Sequence, residues 1–85
     1  MTYYVYLIIV DNPNIKKSYV GYTNNLKSRL LKHNSNKGAK STKGYQWRLI
    51  YSKKFNTKSS AMSYEYRLKK NYYLRNKIKI LYAKY

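Results

Sequence analysis

Three side chains with chemical potential stand out in a chain that offers few alternatives. Arg29 and His33 are four residues apart, so they point the same way if their segment is helical. Glu65 is one of only two acidic residues, the other being Asp11, and His33 is the single histidine. A guanidinium binds phosphate oxygens, an imidazole exchanges protons near neutral pH, and a carboxylate holds Mg²⁺ or Mn²⁺. Chemistry at a phosphate ester would use all three.

The scarcity of acids, histidines and cysteines excludes several classes of enzyme. Nucleases that hold two metal ions need a cluster of carboxylates, and this chain has two acidic residues in all. One histidine excludes mechanisms that need a pair, and little remains for a serine-hydrolase triad. The absence of cysteine excludes disulfides, thiolate zinc sites and cysteine nucleophiles. An enzyme built on this sequence would use at most one metal ion, held by one acid.

The charge of the chain is strongly unbalanced. Nineteen basic residues face two acidic ones, giving a net charge of +17 over 85 residues. Such an excess favours a polyanionic partner, with nucleic acid ahead of an anionic membrane surface. An AT-rich genome is the alternative explanation, since it raises Lys, Asn and Tyr together, but it does not explain why Glu occurs once. No secretory leader is visible, so we expect an intracellular protein: cytoplasmic in a bacterium, nuclear or in a viral factory in a eukaryotic or viral setting.

The elements that must position these residues form one small α+β domain. An aromatic and β-branched run predicts a central strand, and a second strand follows a short turn, as in an antiparallel hairpin. Gly21 in that second strand marks a bulge or a close approach. We expect a three-stranded, mainly antiparallel sheet flanked by about three helices, in the order β-β-α-β-α-α. The predicted strands are Tyr3–Val10, Lys17–Tyr22 and Trp47–Phe55, the helices are about Asn25–His33, Lys58–Lys70 and Leu74–Lys84, and Asn34–Tyr45 is a loop.

Two short aromatic strands, a capped helix with Arg29 and His33, and a later helix with a lone acid resemble the GIY-YIG nuclease superfamily. The motif residues are Tyr4-Val5-Tyr6, Tyr19-Val20-Gly21, Thr23, Asn24 or Asn25, Arg29, His33 and Glu65. The loop Gly38-Ala39-Lys40-Ser41-Thr42 and the entry Trp47-Arg48-Leu49 resemble small single-domain members, similar to the amino-terminal domain of the excinuclease. Tyr4 replaces the first glycine and valine replaces both isoleucines. The resemblance covers Tyr3–Lys70, and a basic helix over about 71–85 completes a single domain, 1–85.

The resemblance implies a metal-dependent endonuclease that hydrolyses phosphodiester bonds of DNA one strand at a time. Glu65 would hold one Mg²⁺ (or Mn²⁺), Arg29 would bind the phosphate, Tyr19 would activate water and Tyr6 would position it. His33 would accept a proton, orient Tyr19 or contact phosphate. Simpler roles remain open: an ion pair of Glu65 with Lys69, a solvated Arg29, a His33 at a helix end, and packing for any of 13 tyrosines.

Basic residues outside the catalytic set would track the phosphates of the substrate, or serve only solubility: Lys27, Lys32, Lys37, Lys40 and Lys43. The expected partner is DNA, including branched or flapped forms, with RNA also compatible and a monomer expected when free. We expect no membrane partner, although a basic protein that lies on a membrane surface through its last helix is a third, weaker hypothesis. The main alternative is a non-catalytic basic nucleic-acid-binding module on the same fold. Glu65 discriminates between them, because a pure binder gains nothing from an acid beside phosphate.

Overall fold

The central strand of the sheet is β1 (Tyr3–Val10), as its unbroken run of aromatic and β-branched residues predicts. The computed structural model describes residues 1–83. In it β1 pairs antiparallel with β2 (Ser18–Thr23) on one side and with β3 (Trp47–Phe55) on the other. The predicted α+β class and strand arrangement are confirmed, with the second strand one residue later than expected.

Three helices cover this sheet: α1 (Leu26–Asn34), α2 (Lys58–Lys70) and α3 (Tyr72–Tyr82). The loop before β3 also contains a short 3-10 turn, Lys40–Thr42. The prediction for the last helix was two residues late at its start, because Asn71 caps it by accepting a hydrogen bond from the Leu74 amide at 3.0 Å. Its end was also wrong, since α3 stops at Tyr82, and Lys84 lies outside the described residues. Within residues 1–83, no helix combines the length and apolarity that crossing a membrane requires.

The side chains of β1 alternate between two hydrophobic layers, and each layer has its own helices. Val5 and Leu7 pack with Ala61, Leu68 and Ile78 under α2 and α3. Tyr6, Ile8 and Val10 pack with Trp47 on the opposite face, against Leu26 and Leu30 of α1. Burying each large side chain stabilises the fold by about 1.5–3 kcal/mol. The sheet therefore has an α1 face that carries Tyr6 and an α2–α3 face that carries most of the aliphatic core.

Gly21 marks the place where β2 makes room for Tyr6. The two residues are register partners in the β1–β2 pairing, which is regular there, so the expected bulge is absent. A Cβ at position 21 would lie 2.6 Å from Tyr6 Cζ and 3.0 Å from Tyr19 Cε2, closer than atoms can pack. Glycine is required because the Tyr6 ring occupies the space that a side chain would fill.

Gly21→Ala should therefore destabilise the fold by about 1–3 kcal/mol, the usual cost of overpacking. In a Tyr6→Leu background the distal ring atoms are gone, so most of that cost should disappear. Urea unfolding of the four proteins in this double-mutant cycle measures the coupling. An equal cost of Gly21→Ala in both backgrounds would contradict the role assigned to Tyr6.

Candidate active site

Four of the residues selected from the sequence come together on the α1 face of the sheet. The Tyr6 hydroxyl of β1 lies 2.8 Å from His33 Nε2, and Arg29 Nε donates to the same hydroxyl oxygen at 3.3 Å. The Tyr19 ring of β2 is centred 5.0 Å from the His33 ring and 6.4 Å from the Tyr6 ring. A phenol, a guanidinium and an imidazole thus share one hydrogen-bonded cluster, with a second phenol beside it.

The local structure explains how these side chains meet. Tyr6 follows the period-two alternation that also turns Ile8 and Val10 toward α1. Tyr19 is the register partner of Ile8, which places it diagonal to Tyr6 on the neighbouring strand. On α1, Arg29 and His33 are one turn apart, and Leu26 and Leu30 anchor the helix in the layer beneath. Asn25, rather than the expected Thr23 or Asn24, caps α1 by accepting from the Ser28 amide at 3.0 Å.

Burial separates the cluster into a hidden pair and an accessible pair. His33 has no exposed surface and Tyr6 is 2 % exposed, whereas Arg29 and Tyr19 are half-buried. A fully buried imidazole cannot contact a phosphate group, so that expected role of His33 is contradicted. Orienting its neighbours and accepting a proton from Tyr6 are the roles that the geometry allows. Arg29 is not the freely solvated cation of the alternative interpretation, because Tyr6 holds its Nε.

Electrostatics distinguish the two hidden groups further. Burial raises the pKa of Tyr6 to about 12, and the neighbouring Arg29 only partly offsets this effect. Burial also lowers the pKa of His33, and the positive charge of Arg29 lowers it further. The pKa of Arg29 is raised, chiefly by its hydrogen bond to Tyr6. At neutral pH the cluster therefore contains a protonated Tyr6, a neutral His33 and a cationic Arg29.

Glu65 reaches this region from α2 and is the one acid available to it. Its carboxylate is 18 % exposed and lies 3.5 Å from Lys69 Nζ, so the expected i,i+4 ion pair does form. Glu65 is also near enough to contribute to the raised pKa of Tyr6. The other acid, Asp11, pairs with Arg48 at 3.6 Å. Glu65 thus combines a structural ion pair with a position facing the phenols.

A single carboxylate limits the kind of metal ion that the site suits. No group of three or more His, Asp or Glu side chains lies together within residues 1–83. Mg²⁺ commonly uses one or two carboxylates and fills its remaining positions with water and phosphate oxygens. The donor set around Glu65 therefore fits one largely hydrated Mg²⁺ or Mn²⁺, and does not fit a closed protein cage.

The lysines expected to track phosphates all belong to α1 or to the segment that follows it, and they border the site. They are Lys27, Lys32, Lys37, Lys40 and Lys43. A groove of about 540 Å³ lies elsewhere, between the turn after β1 and α3, where Pro13, Ile15, Tyr72 and Lys79 line it. None of the catalytic candidates lines that groove. The cluster is thus reached from an open surface bordered by lysines, a form suited to a polymer.

Two residues that the sequence did not single out complete the cluster. Thr42 is fully buried, and its hydroxyl lies 3.0 Å from His33 Nδ1. A Cβ at Gly38 would lie 2.5 Å from the same nitrogen, so this position also requires glycine. Both belong to the polar, lysine-rich loop, where nothing in composition or periodicity indicates burial. Their only signal was that the loop resembles the one found in small single-domain nucleases.

Comparison with known proteins agrees with this geometry. The family model described as the GIY-YIG catalytic domain matches residues 2–79. A UPF0213 protein of Oceanobacillus iheyensis is 46 % identical over 68 residues, covering 79 % of this chain and 76 % of that protein. One from Staphylococcus epidermidis is 34 % identical over 80 residues, 93 % of each. The solution NMR structure of a UPF0213 protein from Bacillus halodurans superposes with a TM-score of 0.53 at 33 % identity, covering 94 % of this chain and 83 % of that one.

The buried, neutral His33 should make folding stability depend on pH. Because its pKa is lowered in the folded state, stability is complete above the unfolded value of about 6.5 and falls as pH drops below it. Melting temperature should therefore decrease between pH 7 and pH 5. A loss of 1 kcal/mol corresponds to about 4–8 °C for a domain of this size.

His33→Gln is the control, because it removes the only histidine and only two carboxylates remain. The variant will be less stable throughout, but its melting temperature should change little between pH 5 and pH 7. A wild-type protein whose melting temperature rises on acidification over this range would contradict the assignment of a neutral, buried His33.

Proposed function

This chain belongs to the GIY-YIG catalytic-domain family, a nuclease superfamily, and from that premise we propose that it is a metal-dependent DNA endonuclease. The observation that carries the proposal is the cluster on the α1 face, where Arg29, Tyr6 and His33 are linked by hydrogen bonds and Tyr19 lies beside them. A purely structural core would not place a cation, two phenols and an imidazole at the edge of an open, lysine-rich surface.

Tyr19 is proposed as the group that takes a proton from the attacking water. Its half-buried position leaves the phenol accessible, and the Arg29 guanidinium beside it favours negative charge on its oxygen. A free phenol titrates near pH 10, so a base role at neutral pH needs such a cation. The ring contact with His33 holds Tyr19 against the buried pair.

Tyr6 is proposed as a positioning group for water and for Arg29. Its raised pKa, about 12, and its hydrogen bond to His33 keep the proton on its oxygen at neutral pH. The Tyr6 oxygen also accepts from Arg29 Nε, which fixes the orientation of the guanidinium. The terminal nitrogens of Arg29 are then the atoms that would bind the scissile phosphate as charge develops on it.

Glu65 is proposed as the single protein ligand of Mg²⁺ or Mn²⁺. Such an ion, when bound, stabilises negative charge on the phosphoryl and leaving oxygens. The lysines of α1 and the following loop would bind neighbouring phosphates and make affinity fall steeply with salt. The ion pair of Glu65 with Lys69 is the observation that favours the alternative, a non-catalytic nucleic-acid-binding module, because that pairing gives the acid a structural role.

The direct test compares Glu65→Gln with Asp11→Asn. Each change removes one of the two acidic residues and raises the net charge by one, so general attraction to DNA increases equally. Both acids also form one ion pair with a basic side chain, which matches their structural cost. Glu65→Gln should lower the rate of plasmid cleavage in Mg²⁺ by several orders of magnitude, while Asp11→Asn should cleave at nearly the wild-type rate.

DNA binding by both variants, measured in EDTA, should equal or exceed that of the wild type. Cleavage by the wild-type protein in EDTA would exclude the metal ion. Binding without cleavage by the wild type, in Mg²⁺ and in Mn²⁺, on plasmid, branched DNA and RNA, would favour the binding module instead.

Removing single hydroxyl groups tests the roles of the tyrosines. Tyr19→Phe deletes the proposed base but keeps the ring, so the cleavage rate should fall sharply with little change in melting temperature. Tyr6→Phe should lower both, because it also breaks the buried hydrogen bond to His33. Tyr66→Phe is the control, since Tyr66 is 59 % exposed on α2. Equal rates for all three variants would remove the basis for assigning either tyrosine.

One set of these residues per chain makes one site, which attacks one phosphodiester at a time. The strands of a duplex are antiparallel, so a concerted double-strand cut needs a second copy related by a two-fold axis. A chain of net charge +17 repels its own copy, and we expect a monomer. With enzyme below substrate, supercoiled plasmid should become nicked before linear product forms. Linear product without a nicked intermediate would contradict this expectation.

A further inference from the structure

Thr42 ends the hydrogen-bonded chain that begins at Arg29, and it lies in the 3-10 turn rather than on a helix or strand. Its side chain has no exposed surface. The hydroxyl oxygen is 2.8 Å from the Ala39 carbonyl oxygen and 3.0 Å from His33 Nδ1. A buried hydroxyl between an imidazole and a carbonyl constrains where the protons of the whole chain can lie.

The positions of the protons follow from counting donors and acceptors. The Ala39 carbonyl can only accept, so the single proton of the Thr42 hydroxyl points to it. The Thr42 oxygen is then the acceptor for His33, which requires a proton on Nδ1. In a neutral imidazole Nε2 is consequently an acceptor, and the Tyr6 hydroxyl donates to it.

The same count is satisfied at the other end of the chain. Once the Tyr6 proton points to His33, the Tyr6 oxygen has lone pairs free to accept, and Arg29 Nε donates to it. The opposite imidazole tautomer would place Nε2–H and Arg29 Nε–H against one phenol oxygen and leave the phenol proton to find another acceptor. It would also require the Thr42 hydroxyl to leave the Ala39 carbonyl. An unsatisfied buried polar group costs about 1–3 kcal/mol, so the first arrangement is strongly preferred.

We propose that Thr42 is a positioning residue that holds His33 in the Nδ1–H tautomer and thereby keeps Nε2 available to the Tyr6 phenol. The 3-10 turn is itself fastened, since the Thr42 amide donates to the Ala39 carbonyl at 3.0 Å and Trp47 Nε1 donates to the Thr42 carbonyl at 2.9 Å. Gly38 leaves room for the imidazole at the same point. The importance of this tautomer for cleavage rests on the proposed function, but its existence does not.

His33 is the only histidine, so its tautomer can be read directly from the ¹⁵N chemical shifts of the two ring nitrogens in the intact, DNA-free protein. At pH 7.5 the wild-type protein should show a protonated Nδ1 and an unprotonated Nε2. Thr42→Ser keeps the hydroxyl and should keep this pattern. Thr42→Val removes the acceptor and should give a mixture of tautomers or the Nε2–H form.

Thr57→Ala is the control for lost stability. Thr57 caps α2 by accepting from the Ser60 amide at 3.1 Å, and removing such a cap typically costs about 0.5–2 kcal/mol. This variant should be destabilised with the ¹⁵N pattern of His33 unchanged. A wild-type protein in the Nε2–H form overturns the proposal, whether or not Thr42→Val folds, and so does a folded Thr42→Val variant with the wild-type pattern.

Cleavage adds a second readout that a purely structural role would not reproduce. Thr42→Val should lower kcat by about 10-fold to 100-fold, the loss seen when a metal-bound histidine loses its outer hydrogen-bond partner, with DNA affinity unchanged. Thr42→Ser should restore most of the rate, and Thr57→Ala should retain it at temperatures where it stays folded. A wild-type protein that does not cleave overturns the proposed function, while the ¹⁵N spectrum still decides the tautomer.

Discussion

The hydrogen bond between the Tyr6 hydroxyl and His33 Nε2 joins the central strand to α1, and the rest of the site is arranged around it. Its two partners are 27 residues apart in sequence and almost fully buried, so neither can turn to water for a substitute. Breaking it would leave a phenol or an imidazole unsatisfied in the core. The pair therefore fixes where α1 sits on the sheet and, through Arg29, where the accessible cation points.

Two glycines and one threonine exist in their places because of this pair. Gly21 gives space to the Tyr6 ring, Gly38 gives space to the His33 ring, and Thr42 satisfies the remaining imidazole nitrogen. The hidden groups hold the accessible ones, Tyr19 and Arg29, in a fixed relation to Glu65 across the sheet. This division allows a small domain with a net charge of +17 to keep a defined site within a strongly repulsive surface.

Much of the fold was predictable because its signals are local. The apolar run of β1, the alternation around β3 and the Thr57 cap of α2 gave element bounds that the structure confirms. The meeting of Tyr6, Tyr19, Arg29 and His33 was predicted only by resemblance, since 13 tyrosines made any one of them an arbitrary choice. Thr42 and Gly38 were missed because their burial arises from tertiary packing of a loop that is polar in sequence. The start of α3 was missed because Asn71 serves two helices, as the C-cap of α2 and the N-cap of α3.

The most direct test of this account is the titration of the Tyr6 hydroxyl, followed through the ¹³Cζ chemical shift of each tyrosine. A Tyr6 that is buried and donates to His33 should remain protonated up to pH 11, with no more than about a tenth ionised there, because its pKa lies at about 12. The exposed Tyr66 is the internal reference for an ordinary phenol in the same spectrum. Ionisation of Tyr6 at or below pH 10 would contradict the account, because Tyr6 would then be available as a base and could not be the fixed donor that orders the site.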